Sequence, residues 1–342
     1  MGKKFWAAAC ATLVSLSLTA CGGGIVGGGK NSGNDDVKNI VLVAKQEGIP
    51  WFDDMRSGVE KFGKDHEGKV SARQIAPDSG DPAKQAQMIS DLLSQDVDAI
   101  VVVPNDPQAL QPVIKQAREK GIVVISHEAS NIAENVDYDI EAFDNKTFGE
   151  AFAENVAQGM GGKGQLAAVV GSHTMETHMA WYNAAVKYLE KNYPEIELVS
   201  AQPYEDNNDD AKARAVATEI LNTYPDLKGF IGTSVSAGAN MAAVLQERNN
   251  KNVAVSTLGI PSVTMPYIES GWVYYAQTWR PADAGYAACE LALQKLEGQE
   301  IKTGSTLKSP GYESVSVDGQ MVYGEAPLIL KKGDFSDGKY PF

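Results

Sequence analysis

Short runs of wholly apolar residues recur along this chain, each followed by a segment of helical spacing. That alternation constrains the fold more than any other feature. The first run, over 39–44, contains Ile40-Val41-Leu42-Val43-Ala44 without interruption. A strand that is apolar at every position is buried on both faces, as in a parallel sheet covered by helices. Phe52, Met55, Val59 and Phe62 then put one apolar stripe on a helix over 51–65. Further strands are predicted at 69–76, 99–103 and 122–126. Asp81-Pro82 and Asp106-Pro107 open helices reaching 93 and 120, with Asp at the cap and Pro in the first turn.

The scheme then starts again. Helices are predicted at 145–158, 177–193, 209–224, 236–247, 262–270 and 281–296, and strands at 165–170, 196–201, 230–232, 253–258 and 273–277. Asp318-Gly319 marks a hairpin over 315–323. The expected class is α/β, with two lobes of parallel sheet in series. In open parallel sheets, ligands bind outside the carboxyl ends of the strands. The residues that follow those ends are Lys45, Trp51 and Phe52 after the first strand, and His127 and Glu128 after the fourth. In the second half they are Thr177, His178 and Trp181, then Thr233 and Ser234, then Trp279 with Arg280.

This set of residue types suits a sugar. Aromatic faces stack on the apolar C–H face of a sugar ring and bury large area in a fixed geometry. Hydroxyls need donors and acceptors together, which Lys, carboxylate, Thr and His supply. In "GIPWFDDMRSG" (48–58), Gly48 and Pro50 turn the chain sharply and present Trp51 and Phe52. Trp51 is expected to line the cleft, whereas Phe52 fits the cleft and the core equally well. Trp272, after a glycine turn, is read as packing.

The first twenty residues are excluded from the fold. Lys3 and Lys4 precede an apolar run over 5–18 that is too short and too Ser/Thr/Ala-rich to span a bilayer. Leu18-Thr19-Ala20-Cys21 then resembles a bacterial lipoprotein signal, which implies cleavage before Cys21 and a diacylglycerol on its sulfur. Residues 21–37 form a Gly/Ser/Asn tether. The chain has three cysteines. Cys10 falls in the signal and Cys21 at the lipid site, so Cys289 is expected to be a buried small hydrophobe. A net charge of −14 argues against a nucleic-acid surface.

Three elements together resemble a known family. Ile49-Pro50-Trp51-Phe52, "TLGIPSVTMPYIESG" (257–271) and "TWRPADAGYAA" (278–288) are similar to elements of the sugar-binding lipoproteins of ABC transporters, of periplasmic-binding-protein-like type I and the rhamnose-binding or autoinducer-2-binding branch. The resemblance covers nearly all of 39–342. It implies two Rossmann-like lobes joined by a three-crossover hinge with a ligand cleft between them. On that basis residues 1–20 are signal, 21–37 tether, 38–143 plus 281–322 the first lobe, and 144–280 plus 323–342 the second. It also implies an ABC permease as partner, a membrane reached through the lipid anchor, a location outside the cytoplasm (periplasm or outer face of the cell membrane), and a monomer. Lys45 resembles the autoinducer-2 branch. His127-Glu128-Ala129-Ser130, Thr177-His178 and Thr233-Ser234-Val235 depart from that branch, and Arg280 stands in place of the rhamnose-type Asn.

Other signals point elsewhere. Gly159-Met160-Gly161-Gly162-Lys163-Gly164 follows a helix and precedes a strand, the reverse of a phosphate loop. His173, Glu176 and His178 lack helical zinc spacing and thiolate companions, so no metal is expected. The acidic run 205–210 reads as a cap for the helix at 209. No cofactor is expected. The competing readings are a sugar-modifying hydrolase using Glu128 and Glu176 as paired carboxylates, autoinducer-2 binding, and sugar sensing for a membrane receptor kinase.

Overall fold

The computed structural model describes residues 37–334 and Phe342. The expected signal, Cys21 and nearly all of the expected tether lie outside the described residues.

The first sheet is built by β1 (Lys38–Val43), β2 (Val70–Ile75), β3 (Ala99–Val102), β4 (Val123–His127) and β5 (Tyr138–Glu141). These strands pair in parallel, β2-β1-β3-β4-β5. β1 and β3 are buried almost throughout because helices cover both faces. Those helices are α1 (Pro50–Asp65), α2 (Pro82–Leu92) and α3 (Pro107–Glu119). Asp81 and Asp106 cap α2 and α3 as expected, each accepting two backbone N–H groups.

The chain then crosses over. α4 (Asn145–Met160) ends at Gly161 in the left-handed region (φ 70°), which makes the glycine run a helix stop. The second sheet contains β6 (Lys163–Val170), β7 (Glu195–Leu198), β8 (Tyr204–Glu205), β9 (Leu227–Gly232), β10 (Ala254–Leu258) and β11 (Tyr275–Thr278). Its order is β11-β10-β9-β6-β7, all parallel, with β8 also on β6. It carries α5 (Glu176–Asn192), α6 (Asp210–Thr223), α7 (Ala237–Glu247) and α8 (Pro261–Glu269). Asp209 caps α6. Trp272 packs in the core beside α7 and α8, with the Lys251 ammonium 4.5 Å from its ring centroid.

The chain crosses twice more. α9 (Pro281–Leu296) returns to pack on α1, β3 and β4, and carries Cys289 fully buried, its thiol pushed up to about 12 by burial. β12 (Ser316–Asp318) and β13 (Met321–Tyr323) form the expected hairpin, and β13 extends the first sheet alongside β5. β14 (Leu328–Leu330) then joins the second sheet antiparallel to β11. Two lobes joined by three crossings are therefore observed. β5, β8, β14 and a 3₁₀ turn (Ser130–Asn135) are the elements that the sequence pattern did not predict.

Candidate functional site

The carboxyl ends of both sheets converge on a small cavity of about 20 Å³. Its lining comes from both lobes. Lys45, Ile49, Trp51, Phe52 and Glu128 belong to the first, His178, Asn208, Val235 and Leu258 to the second, and Trp279 precedes the second crossing.

Lys45 leaves the end of β1 and donates from Nζ to Glu128 Oε2. Both side chains are buried. Glu128 sits at φ 60°, a left-handed conformation that costs a residue with a Cβ about 1 kcal/mol or more. Asp139 on β5 holds that turn: its Oδ1 accepts from Ala129 N at 3.2 Å and from Ser126 Oγ at 2.6 Å. Burial pushes the Glu128 carboxyl up. The Lys45 charge and hydrogen bond outweigh it and hold the group ionised, below the usual carboxylate range.

Two further carboxyls lie behind this pair without a paired cation among the described residues. Burial raises Asp139 to about 7. Burial, then Asp139 and Glu128, raises Glu141 well above its ordinary value. The base of the site thus holds one paired carboxylate and two carboxyls that resist ionisation.

The histidines are neutral. His178 Nδ1 accepts from Gly171 N at 3.0 Å, so its proton is on Nε2. Burial and then Lys45 lower it to about 3. His127 Nδ1 lies 2.6 Å from Ile140 O and donates to it, leaving Nε2 as an acceptor 3.7 Å from Glu128 Oε1. Burial lowers this group as well.

The aromatic residues form a cluster. Trp51 meets Trp279 edge-on at 4.6 Å. Trp279 also contacts Trp181 at 5.6 Å and Phe143 at 5.2 Å, and Trp181 stacks on His178 at 5.7 Å. Trp51 is 3% exposed, so it lines the cavity and the core together, as Phe52 does.

Lys45, Trp51, Phe52, Glu128, His178 and Trp279 therefore line the cavity, while His127, Thr177, Trp181 and Thr233 stand behind it. Trp181, one turn beyond His178, faces α4 and donates from Nε1 to Asn145 Oδ1 at 2.7 Å. Thr177 Oγ1 lies 3.5 Å from Glu128 Oε2, and Thr233 Oγ1 is 3.4 Å from the His178 carbonyl. His173 lies apart from His178, against Glu205 and the Pro203 carbonyl.

Asn208, Val235, Leu258 and Ile49 are lining residues that the sequence did not single out. Asn208 was masked by its acidic neighbours, read as a helix cap. It sits at φ 54° because Asp206 Oδ1 accepts its N–H at 2.9 Å. Asp206 in turn accepts from Ser234 Oγ, whose oxygen takes the Ala237 N–H at 3.0 Å, so the N-terminus of α7 anchors the loop. Asn208 Oδ1 and Trp279 Nε1 are buried with no hydrogen-bond partner among the described residues. A ligand with one hydroxyl donor and one oxygen acceptor satisfies both.

Comparison with known proteins agrees with the two-lobed fold. A family profile described as periplasmic binding protein domain matches residues 40–300. A xylitol-binding protein of Mycolicibacterium smegmatis is 25% identical over 98% of this chain and 92% of its own length. The ribose import binding protein RbsB of Bacillus subtilis is 28% identical over 82% of this chain and 88% of its own. A Clostridium phytofermentas ABC-transporter solute-binding protein with bound L-rhamnose shares the fold at TM-score 0.80 and 18% identity, covering 90% of this chain and 99% of that one. LsrB from Clostridium saccharobutylicum in complex with AI-2 does so at 0.79 and 17%, covering 87% and 99%.

Proposed function

This chain belongs to the periplasmic binding protein domain family, and on that premise we propose that it captures a simple sugar or polyol outside the cytoplasm for an ABC importer. The observation that carries the reading is the buried Lys45–Glu128 pair flanked by Trp51 and Trp279 between the lobes. The ion pair leaves the base of the site electrically neutral and rich in hydrogen-bonding atoms, and the indoles supply apolar walls. That combination favours an uncharged polyhydroxy ligand: a pentose, a deoxyhexose or a polyol such as xylitol. The relatives named for xylitol and ribose support that class. Lys45 donates to ligand oxygens, Glu128 accepts hydroxyls, and Asn208 and His178 reach in from the second lobe. The hinge crosses near 143–144, near 280–281 and, beyond the end of β13 at Tyr323 rather than at 322–323, before β14 begins at Leu328.

A thermal-shift panel of xylitol, D-ribose, D-xylose and L-rhamnose tests this. Saturation at a hundredfold over Kd stabilises the native state by about 2.7 kcal/mol. A panel that leaves the melting temperature unmoved sinks the reading. The binder should also be recovered unchanged, since a new product would argue for the paired-carboxylate hydrolase.

Anchoring is part of the same proposal and rests on Leu18-Thr19-Ala20-Cys21. Cys21→Ser should release the protein to the soluble fraction, because the diacylglycerol supplies two chains of membrane affinity. A mature protein beginning at any residue other than Cys21 would refute it.

A further inference from the structure

A second concavity lies on the other side of the aromatic cluster from the sugar cavity. It measures about 550 Å³, within the roughly 300–1,000 Å³ of ordinary small-molecule sites. Its floor is Phe143 and Phe148, stacked at 3.8 Å and 9°. These rings contact Trp279 at 5.2 and 6.0 Å, and Phe148 contacts Trp181 at 5.1 Å. One aromatic layer therefore separates the groove from the sugar cavity. The walls come from the first crossing, the third crossing and the facing edges of both sheets, including Tyr323, Tyr275 and Ile329. The Tyr275 wall is braced: its hydroxyl donates to Gln277 Oε1 at 2.8 Å, and Gln277 Nε2 donates to the Phe148 carbonyl at 2.6 Å.

The charge of the lining is one-sided. Asp144 and Glu325 stand at the mouth, both exposed, and among the described residues no lysine, arginine or histidine lines the groove. Asp144 caps α4 by accepting from Thr147 N at 2.7 Å. Burial, and then the neighbouring carboxyls, push the Tyr323 phenol up. Apolar and phenolic faces beside two carboxylates suit an ammonium carried on an apolar body.

We propose that this hinge groove is a second ligand site, for a small organic amine with an aromatic or branched apolar body. The body lies on Phe148 and Tyr323, and the ammonium lies between Asp144 and Glu325. Such an occupant touches both the first and third crossings and favours whichever hinge geometry fits it better. The site is independent of the sugar reading, since it shares no lining residue with the sugar cavity.

Phenethylammonium and its neutral analogue 2-phenylethanol are the probes, titrated by NMR into the mature protein with the Trp181 and Trp279 indole N–H signals as reporters. Phenethylammonium should shift both signals and bind at least tenfold more tightly than 2-phenylethanol, with the gap closing as salt rises. Asp144→Asn combined with Glu325→Gln keeps a competent helix cap and should erase the gap. Ala151→Trp, which fills the groove from α4, should abolish binding at an unchanged melting temperature. If Ala151→Trp does not fold, the double variant decides. Equal binding of the two probes overturns the proposal, as does binding that leaves both indole signals still or that survives the double variant undiminished.

Discussion

Trp51 shows how burial changes what a single residue does. Its position after Pro50 suggested a ring presented to a ligand, and the structure packs it edge-on against Trp279 at 4.6 Å with 3% exposure. Trp51→Ala should therefore act twice. Loss of a stacking face should weaken whichever sugar or polyol the thermal-shift panel identifies by about 30- to 1,000-fold, on the ~2–4 kcal/mol scale of a hot spot. Loss of a buried indole should cost about 3–5 kcal/mol of stability. Urea unfolding and calorimetry read the two effects separately, and an unchanged urea midpoint would show that the ring does not pack. The polar base behaves differently. Asp139 has its folded pKa raised to about 7 from 3.8, so its contribution to stability is complete below about pH 3.8 and is lost as pH rises through 7. Asp139→Asn keeps an oxygen for Ser126 Oγ and Ala129 N and removes that loss. The variant should melt above wild type at pH 8 and match it at pH 4. An equal difference at both values would mean the carboxyl does not titrate in this range. His178 has the opposite sign. Lowered to about 3 from 6.5, its contribution is complete above pH 6.5 and is lost as pH falls towards 3.

Helix α1 meets α9 across two glycines, and this contact ties the aromatic entry to the hinge. A Cβ on Gly58 would stand 1.9 Å from the Ala282 carbonyl oxygen, and one on Gly285 would stand 2.9 Å from the Met55 carbonyl. Ala282 N also donates to Asp54 Oδ2 at 2.9 Å, fixing the start of α9 just beyond Trp279. Gly58→Ala must push the helices apart and should cost about 1–3 kcal/mol or more. It should also weaken sugar binding by displacing Trp279. Gly48→Ala is the control: at φ 80° with nothing within 4 Å, it bears the left-handed backbone cost of about 1–2 kcal/mol without a clash. If Gly58→Ala proves no worse than Gly48→Ala in urea, the close approach of α1 and α9 is not a constraint. Strand β5 illustrates a different difficulty. In Tyr138-Asp139-Ile140-Glu141 apolar and acidic residues alternate, but the run is only four residues long and its carboxyls are buried, so neither length nor a continuous apolar run marks it as an inner strand.

The two lobes of the molecule are in contact around a cavity of about 20 Å³, far below the roughly 300 Å³ of a small-molecule site. A sugar can enter only if the lobes separate. The side-chain bonds across the lip are few and long: Ser130 Oγ to Glu176 Oε1 at 3.3 Å, Thr174 Oγ1 to the Asn105 carbonyl at 3.4 Å, and Thr177 Oγ1 to Glu128 Oε2 at 3.5 Å. Such contacts contribute little net stability, so an open population is expected without ligand. Small-angle scattering should show the radius of gyration falling when a binder identified by the panel saturates the protein. A radius that stays constant would mean that the cleft is preformed and that the lobes do not move.

The sequence by itself determined the alternation of buried strands and covering helices, because a run such as Ile40–Ala44 is stable only between two apolar layers. It also placed Lys45, Glu128, His178 and Trp279 at strand ends, since the loops of a parallel sheet gather at its carboxyl edge. Caps were legible for the same local reason: Asp81, Asp106 and Asp209 each serve N–H groups two or three residues away. Tertiary structure alone decided the rest. Asn208 reaches the cavity through Asp206, Ser234 and the start of α7, a chain of contacts spanning two separate loops. Trp181 was withdrawn from the cavity by Asn145 on a neighbouring helix, and Glu128 was forced into a left-handed turn by a carboxyl on the next strand. Each of these depends on a partner distant in sequence, and periodicity carries no information about such partners.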